Sequence, residues 1–133
     1  MSNELTGAKV LAKMLHDYGV TDIFHVPAVL RTTMAELETI SNIRRIHAHG
    51  EASAAYMADG YARASGRPGV CAAQIIGALN LAAGLRDAWL AKSPVIALTG
   101  GRDQATKFRS AVHQPGGGKS GQGHRHGSLE SRR

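Results

Sequence analysis

Apolar residues recur with helical spacing in several segments of the chain. Thr6 is placed to cap a first helix and Gly19 to stop it, and the apolar face comprises Val10, Leu11, Met14, Leu15 and Tyr18. A second helix is predicted over roughly residues 30–41, with one side formed by Met34, Leu37 and Ile40. A third is predicted from about Glu51 to Ser65, closed by Gly66. A fourth is predicted in the run LNLAAGLRDAWLAK, with one face formed by Leu81, Leu85, Ala88 and Trp89.

Short apolar runs between these helices predict strands, in VTDIFHV, from Ile43 to His47, in RPGVCAAQ and in SPVIALTG. Strands that alternate with helices of this length favour parallel pairing, so the predicted class is α/β, a three-layer α/β/α domain with a mainly parallel sheet. Ligands of such sheets collect at the carboxyl ends of the strands. Function is therefore expected at four junctions, Val26 to Ala28, His47 to Glu51, Gln74 to Gly77 and Thr99 to Gly101.

Length and composition fit one domain, which we assign to residues 1–114 of the 133. Residues 115–133 form a basic, Gly-rich tail that is predicted to be disordered because it holds one large aliphatic residue, Leu129. This tail supplies about half of the net charge of +6. The bases of the remaining chain are scattered, which disfavours nucleic acid as a partner.

The chain has no apolar run long enough to span a membrane, and its N-terminus lacks the layout of a signal peptide. A single cysteine, Cys71, cannot form an internal disulfide and is expected to be a small buried apolar residue. We therefore expect a cytoplasmic protein, and the spacing of its histidines and acids predicts no metal site.

Glu51 is the most informative candidate for chemistry, because it lies where a strand, a His-Ala-His-Gly turn and an alanine-rich helix meet. The simple explanation is a carboxylate that is favoured by the helix dipole. Gly50, however, allows close approach, and the alanines that follow would place apolar surface around the carboxyl and fit it for proton exchange. His47 and His49 would share a face of an extended segment, where solvated roles are favoured.

The runs HGEASAAYMADGYARASGRPGVC and GALNLAAGLRDAWLAKSPVIALTG resemble the N-terminal, pyrimidine-binding domain of thiamine-diphosphate-dependent enzymes, and the acetolactate synthase group most closely. The resemblance covers about residues 4–110. It implies the thiamine-diphosphate-binding fold and a role in the decarboxylation or carboligation of 2-keto acids.

The resemblance also implies roles for four residues. Glu51 would hydrogen-bond a ring nitrogen of the cofactor aminopyrimidine and so activate the cofactor. Pro27 would lie in a loop against the cofactor, and Gly77 and Asn80 would belong to a second loop near the pyrimidine. Without the resemblance, these three would be an ordinary turn former, a loop glycine and a helix-start residue.

The sequence departs from the family pattern in two loops and in one larger feature. His25 and Ala28 occupy positions where family members have glycines around Val-Pro, and Ile75-Ile76-Gly77 replaces Gly-Pro-Gly. The run that holds the diphosphate through Mg²⁺ in the family is missing, and only Ala58-Asp59-Gly60 is present within a predicted helix. The resemblance therefore implies a truncated half-site, inactive alone, with Mg²⁺ expected on the missing domain. His113 and Gln114 receive no role.

Two alternatives to this interpretation remain. The chain could be a non-catalytic interaction module that pairs with a diphosphate-binding subunit. A homo-oligomer or a complex with a full-length family member is expected in either case, because helices that face a partner in the family would expose apolar surface here. A Rossmann-like nucleotide binder is disfavoured, because no strand is followed by Gly-x-Gly-x-x-Gly.

Overall fold

The computed structural model describes residues 5–27 and 29–101. Four strands in these ranges form a parallel sheet. The strands are β1 (Asp22–His25), β2 (Arg44–His47), β3 (Gly69–Ala73) and β4 (Val95–Thr99), and their order is β2-β1-β3-β4. β1 connects to β2 on one side, whereas β3 connects to β4 on the other. The strand order therefore reverses between β1 and β3, which in α/β sheets opens a crevice at the carboxyl ends.

Within the described residues, five helices accompany the sheet: α1 (Gly7–Asp17), α2 (Arg31–Ile40), α3 (Glu51–Ser65), α4 (Gly77–Asn80) and α5 (Ala82–Ala91). Alternate residues of the central strands belong to different cores. Ile23 and Val70 pack with α1 and α2, whereas Phe24 and Cys71 pack with the alanines of α3. Because successive strand residues point to opposite faces, the central strands β1 and β3 are covered on both sides, whereas the edge strands β2 and β4 are partly exposed. The predicted α/β class with a parallel sheet is confirmed.

Local signals account for several helix ends. The Thr6 hydroxyl accepts a hydrogen bond from the Lys9 amide at 3.3 Å and caps α1. Gly19 and Gly66 adopt the left-handed conformation, with φ of 73° and 68°, immediately beyond α1 and α3. The bounds of α3 agree with those predicted from the sequence.

The predicted apolar faces of three helices, α1, α2 and α5, are partly wrong. In α1 the buried residues are Ala12 and Leu15, and Tyr18 is 82% exposed. In α5 the contact surface is formed by Gly84 and Ala88, and Trp89 is 77% exposed. Met14 and Ile40 are also exposed. The sequence pattern missed the small buried residues Ala12 and Gly84, because it weights bulky side chains, whereas small residues let backbones approach closely.

The predicted fourth helix begins earlier than expected. Helical structure starts at Gly77 and forms the short helix α4, and Leu81 then joins α4 to α5 in a right-handed helical conformation. Leu81 is fully buried against α3 and β3. The predicted tail of residues 115–133, together with His113 and Gln114, lies outside the described residues. No helix within the described ranges is long and apolar enough to cross a bilayer.

The contact between β3 and α3 generates a prediction about stability. A Cβ atom at Gly69 would lie 2.0 Å from the Ala58 carbonyl oxygen, and this backbone atom cannot rotate away. We expect Gly69→Ala to lower the free energy of unfolding by about 1–3 kcal/mol or more, as overpacking does. The measurement is urea denaturation of the chain.

Gly60→Ala is the matched control, because Gly60 lies within α3 and a Cβ atom there meets nothing within 4 Å. It should leave stability unchanged or raise it by up to about 1 kcal/mol through helix propensity. Equal effects of the two substitutions would contradict the close packing of β3 on α3.

Candidate functional site

Glu51 begins α3 directly after the connection from β2. The Ala48 amide donates a hydrogen bond to the His25 carbonyl at 2.9 Å, so this connection leaves β2 alongside the end of β1. Gly50 then takes an extended conformation and α3 starts at Glu51. The glutamate is half-buried at the carboxyl edge of the sheet, as the sequence predicts.

The side chain of Glu51 rests on Gly77, the first residue of α4. A Cβ atom at Gly77 would lie 2.6 Å from Glu51 Oε1 and 2.8 Å from Glu51 Cγ. Gly77 itself is buried. Any larger residue at this position would therefore push the carboxylate away, and glycine is required here for close approach.

Asn80 completes this contact from the end of α4. Its side-chain amide donates a hydrogen bond to Glu51 Oε2, and Nδ2 lies 3.2 Å from the oxygen. The structure thus brings three of the four predicted site residues together, although they belong to the connections after two different strands. We call Glu51, Gly77 and Asn80 the carboxylate cluster.

Three of the alanines that follow Glu51 pack closely in the core, as their small size predicts, whereas the expected apolar surroundings of the carboxyl stay a prediction. Ala54, Ala55 and Ala58 are fully buried in the core with β1 and β3, and a Cβ atom at Gly84 would lie 2.6 Å from the Cβ of Ala55. These small side chains dock α3 on the sheet and on α5. The carboxyl contacts described above come from α4.

Pro27 lies after β1, in a separate feature. Its exposed side chain lines a cleft of about 460 Å³ between α2 and the carboxyl ends of β1 and β2. The described residues that line this cleft do not include the carboxylate cluster. We call it the β1–β2 cleft.

His25 is the functional candidate that the sequence analysis missed, since there it counts only as a departure from the family pattern. It is 5% exposed and is paired in register with His47, and the two rings meet edge to face with centroids 4.6 Å apart. Burial lowers the pKa of His25, and His47 and Arg45 lower it further, while a hydrogen bond with the Val26 carbonyl opposes them. A histidine in a short strand that is predicted to be buried was the available signal.

Other groups in the described part of the chain have structural roles. Burial raises the pKa of the Cys71 thiol to about 11, which agrees with the expected apolar role. Arg63 Nε donates to Asp59 Oδ1 at 3.0 Å across one turn of α3. No group of three or more histidines, cysteines or acids that could hold a metal occurs within residues 5–27 and 29–101.

A parallel sheet with a carboxylate cluster at its carboxyl edge defines the chain as an α/β ligand-binding domain. Comparison with protein families makes this specific. Residues 5–118 match the model of the thiamine pyrophosphate enzyme, N-terminal TPP binding domain. The match covers most of the chain, which therefore belongs to this family.

Individual relatives agree with the family match. Over 96 residues the chain is 42% identical to acetolactate synthase 2, chloroplastic, of Nicotiana tabacum. This matched region covers 71% of this chain and 14% of that protein. Over 97 residues it is 40% identical to the probable acetolactate synthase large subunit of Methanocaldococcus jannaschii. That matched region covers 72% of this chain and 16% of the relative. The matched region thus spans about one seventh of these curated relatives.

The buried imidazole of His25 generates a prediction about pH. Because burial lowers its pKa below the ordinary 6.5, the unfolded chain binds this proton more readily than the folded chain. The free energy of unfolding should therefore fall as the pH drops below about 6.5 toward the folded-state pKa. His25→Phe has no imidazole at this position and should not show this fall. The difference in free energy of unfolding, variant minus wild type, should therefore increase as the pH is lowered.

Urea denaturation between about pH 7.5 and about pH 5.5 measures the effect. His49→Asn, which changes an exposed histidine, is the control and should keep the wild-type dependence. If the free energy of unfolding of His25→Phe changes with pH in parallel with that of wild type, the histidine is not held neutral by the fold.

Proposed function

We propose that this chain forms the aminopyrimidine half of a thiamine diphosphate site in an acetolactate synthase-like enzyme, with Glu51 as its catalytic residue. The observation that carries the proposal is the carboxylate cluster. Its glutamate is fixed by Asn80 and pressed against Gly77 at the edge of the sheet where α/β domains bind ligands.

The residues present fit this cofactor. Gly77 offers a surface without a side chain beside the carboxylate, and Asn80 holds one of the two carboxylate oxygens in place. A carboxyl group that is half-buried and oriented in this way can exchange a proton with a weakly basic ring nitrogen. Bound thiamine diphosphate supplies a thiazolium carbon whose deprotonation opens the way to attack on a 2-keto acid.

Within this proposal Glu51 has the direct role, because its carboxylate would hold the proton at the ring nitrogen. Gly77 and Asn80 are positioning residues, since they act on the carboxylate. Pro27 is proposed to border the cofactor from the loop after β1, where its exposed ring lines the neighbouring β1–β2 cleft.

The diphosphate and Mg²⁺ contacts are proposed to come from another domain or chain. Asp59, the acid of the run Ala58-Asp59-Gly60, is buried within α3 and forms a salt bridge with Arg63, so it is not available to a cation. Charged phosphate contacts provide much of the affinity for such cofactors. The half-site alone should therefore bind weakly and be inactive without its partner.

A second candidate function is an interaction module that pairs with a diphosphate-binding subunit. The observation that favours it is the exposure of large apolar residues on α4 and α5, among them Leu79 (79% exposed), Trp89 and Leu90. The partner would be a second copy of the chain or a family member. A cytoplasmic location stays a prediction from the sequence.

Mixing the chain with the separately produced diphosphate-binding domain of a family member tests this candidate. Restored decarboxylation of a 2-keto acid that Glu51→Gln abolishes would support a module that supplies the catalytic carboxylate. Restored activity that is insensitive to Glu51→Gln would contradict the catalytic role of Glu51 and would favour a module that pairs without supplying a catalytic group.

Calorimetric titration tests the half-site directly. The chain should give similar, weak affinities for thiamine diphosphate with Mg²⁺ and for the isolated aminopyrimidine portion, since both use the same contacts. We expect Glu51→Gln, which removes the charged acceptor, to weaken both by about tenfold or more. Gly77→Ala should act in the same direction, because it displaces the carboxylate.

Glu36→Gln is the matched control, a change of the same kind on α2 that should leave both affinities at the wild-type values. Tight binding that depends on Mg²⁺ would contradict the half-site. Unchanged affinity in Glu51→Gln would remove Glu51 from the site.

A further inference from the structure

The β1–β2 cleft shares Pro27 with the proposed border of the cofactor, but none of the carboxylate cluster lines it, and it has its own chemistry. Its floor includes the buried apolar side chains of Val29 and Met34. Arg31 lines it from α2, and His25 and His47 line it from the two strand ends. The lining therefore combines buried apolar side chains with nitrogen-bearing side chains from α2 and from both strand ends.

The charges around the cleft favour an anion. Arg45 and Glu38 both line it and form a salt bridge with each other. Arg45 Nη1 also donates to the Met34 carbonyl at 3.2 Å, which fixes the guanidinium in place. Arg31 adds an exposed positive charge, so the net charge of these three side chains is positive. A guanidinium group matches the geometry of a carboxylate.

His25 provides an independent observation that points to a ligand. Because its Nδ1 lies 3.1 Å from the Val26 carbonyl, which can only accept, that nitrogen carries the proton. Its Nε2 is buried and has no hydrogen-bond partner among the described residues. Buried polar atoms of folded proteins nearly always have a partner, so an unpaired Nε2 on a residue that lines the cleft is consistent with a ligand there.

We propose that the β1–β2 cleft binds a small organic carboxylate and that His25 takes up a proton when the ligand binds. Arg31 contacts the carboxylate, and the apolar part of the ligand packs on Val29 and Met34. The negative charge of the ligand stabilises a proton on His25 Nε2.

The surroundings of His25 explain why the proton and the ligand bind together. In the free chain burial disfavours the charged imidazole, and so do His47 and Arg45, both from β2. From α2, Arg31 and Glu38 bring charges of opposite sign to the same cleft. A bound carboxylate adds a negative charge to this group, so ligand affinity must rise as the pH falls. The inference does not depend on thiamine diphosphate.

Nuclear magnetic resonance of the histidine side chains in the full chain tests the proposal, with isobutyrate as the probe. The signals of His25 and His47 should shift and saturate, while that of His16 on α1 should not move. We expect the affinity to increase about threefold or more between about pH 7.5 and about pH 5.5. Arg31→Gln should weaken binding by about fivefold or more.

Arg86→Gln is the matched control, because Arg86 is an exposed arginine on α5, which packs on α3 and not on α2. It should bind isobutyrate as wild type does. Equal shifts with the neutral isostere isobutyramide would overturn the proposal, and so would shifts that never saturate. Saturation by inorganic phosphate but not by isobutyrate would overturn the carboxylate assignment. If Glu51→Gln abolishes pyrimidine binding, the variant should still bind isobutyrate as wild type does, so the two proposals can fail separately.

Discussion

The close contact between the Glu51 carboxylate and Gly77 is the constraint on which the candidate site depends. It joins the connection after β2 to the connection after β3, although β1 lies between these strands in the sheet. The absence of a Cβ atom at Gly77 makes the contact possible, and the Asn80 amide holds the carboxylate there. A single acidic side chain is thereby fixed at the carboxyl edge of the sheet, close to the point where the strand order reverses.

The same principle of small residues at close contacts positions the helix that carries Glu51. Gly69 lets β3 approach the backbone of Ala58, and Gly84 lets α5 approach Ala55. With α3 held between the sheet and α5 in this way, its first residue has little freedom to move. The fold therefore orients the glutamate through backbone packing, and the carboxylate cluster adds only the last contacts. Binding sites built on rigid elements in this way are the most accurate in geometry.

Much of this arrangement could be predicted from the sequence, and the exceptions have physical reasons. The alternation of strands and helices predicted the parallel sheet, and Gly66 fixed the end of α3, because these signals are local. Tyr18 and Trp89 were predicted to lie on the packed faces of their helices but are exposed, since burial depends on which neighbour packs against a helix. The roles of Glu51, Gly77 and Asn80 came from family resemblance, because no local pattern reports a contact between residues so far apart in the chain. His25 was missed for the same reason, since its unpaired nitrogen is visible only in the folded structure.

The most direct measurement is the carboxyl carbon resonance of Glu51 while the isolated aminopyrimidine is added to the full chain. The account predicts that this resonance and the side-chain amide signal of Asn80 shift together and saturate at the same ligand concentration. If the pyrimidine binds while both signals stay unchanged, the ring lies elsewhere and the central claim is wrong.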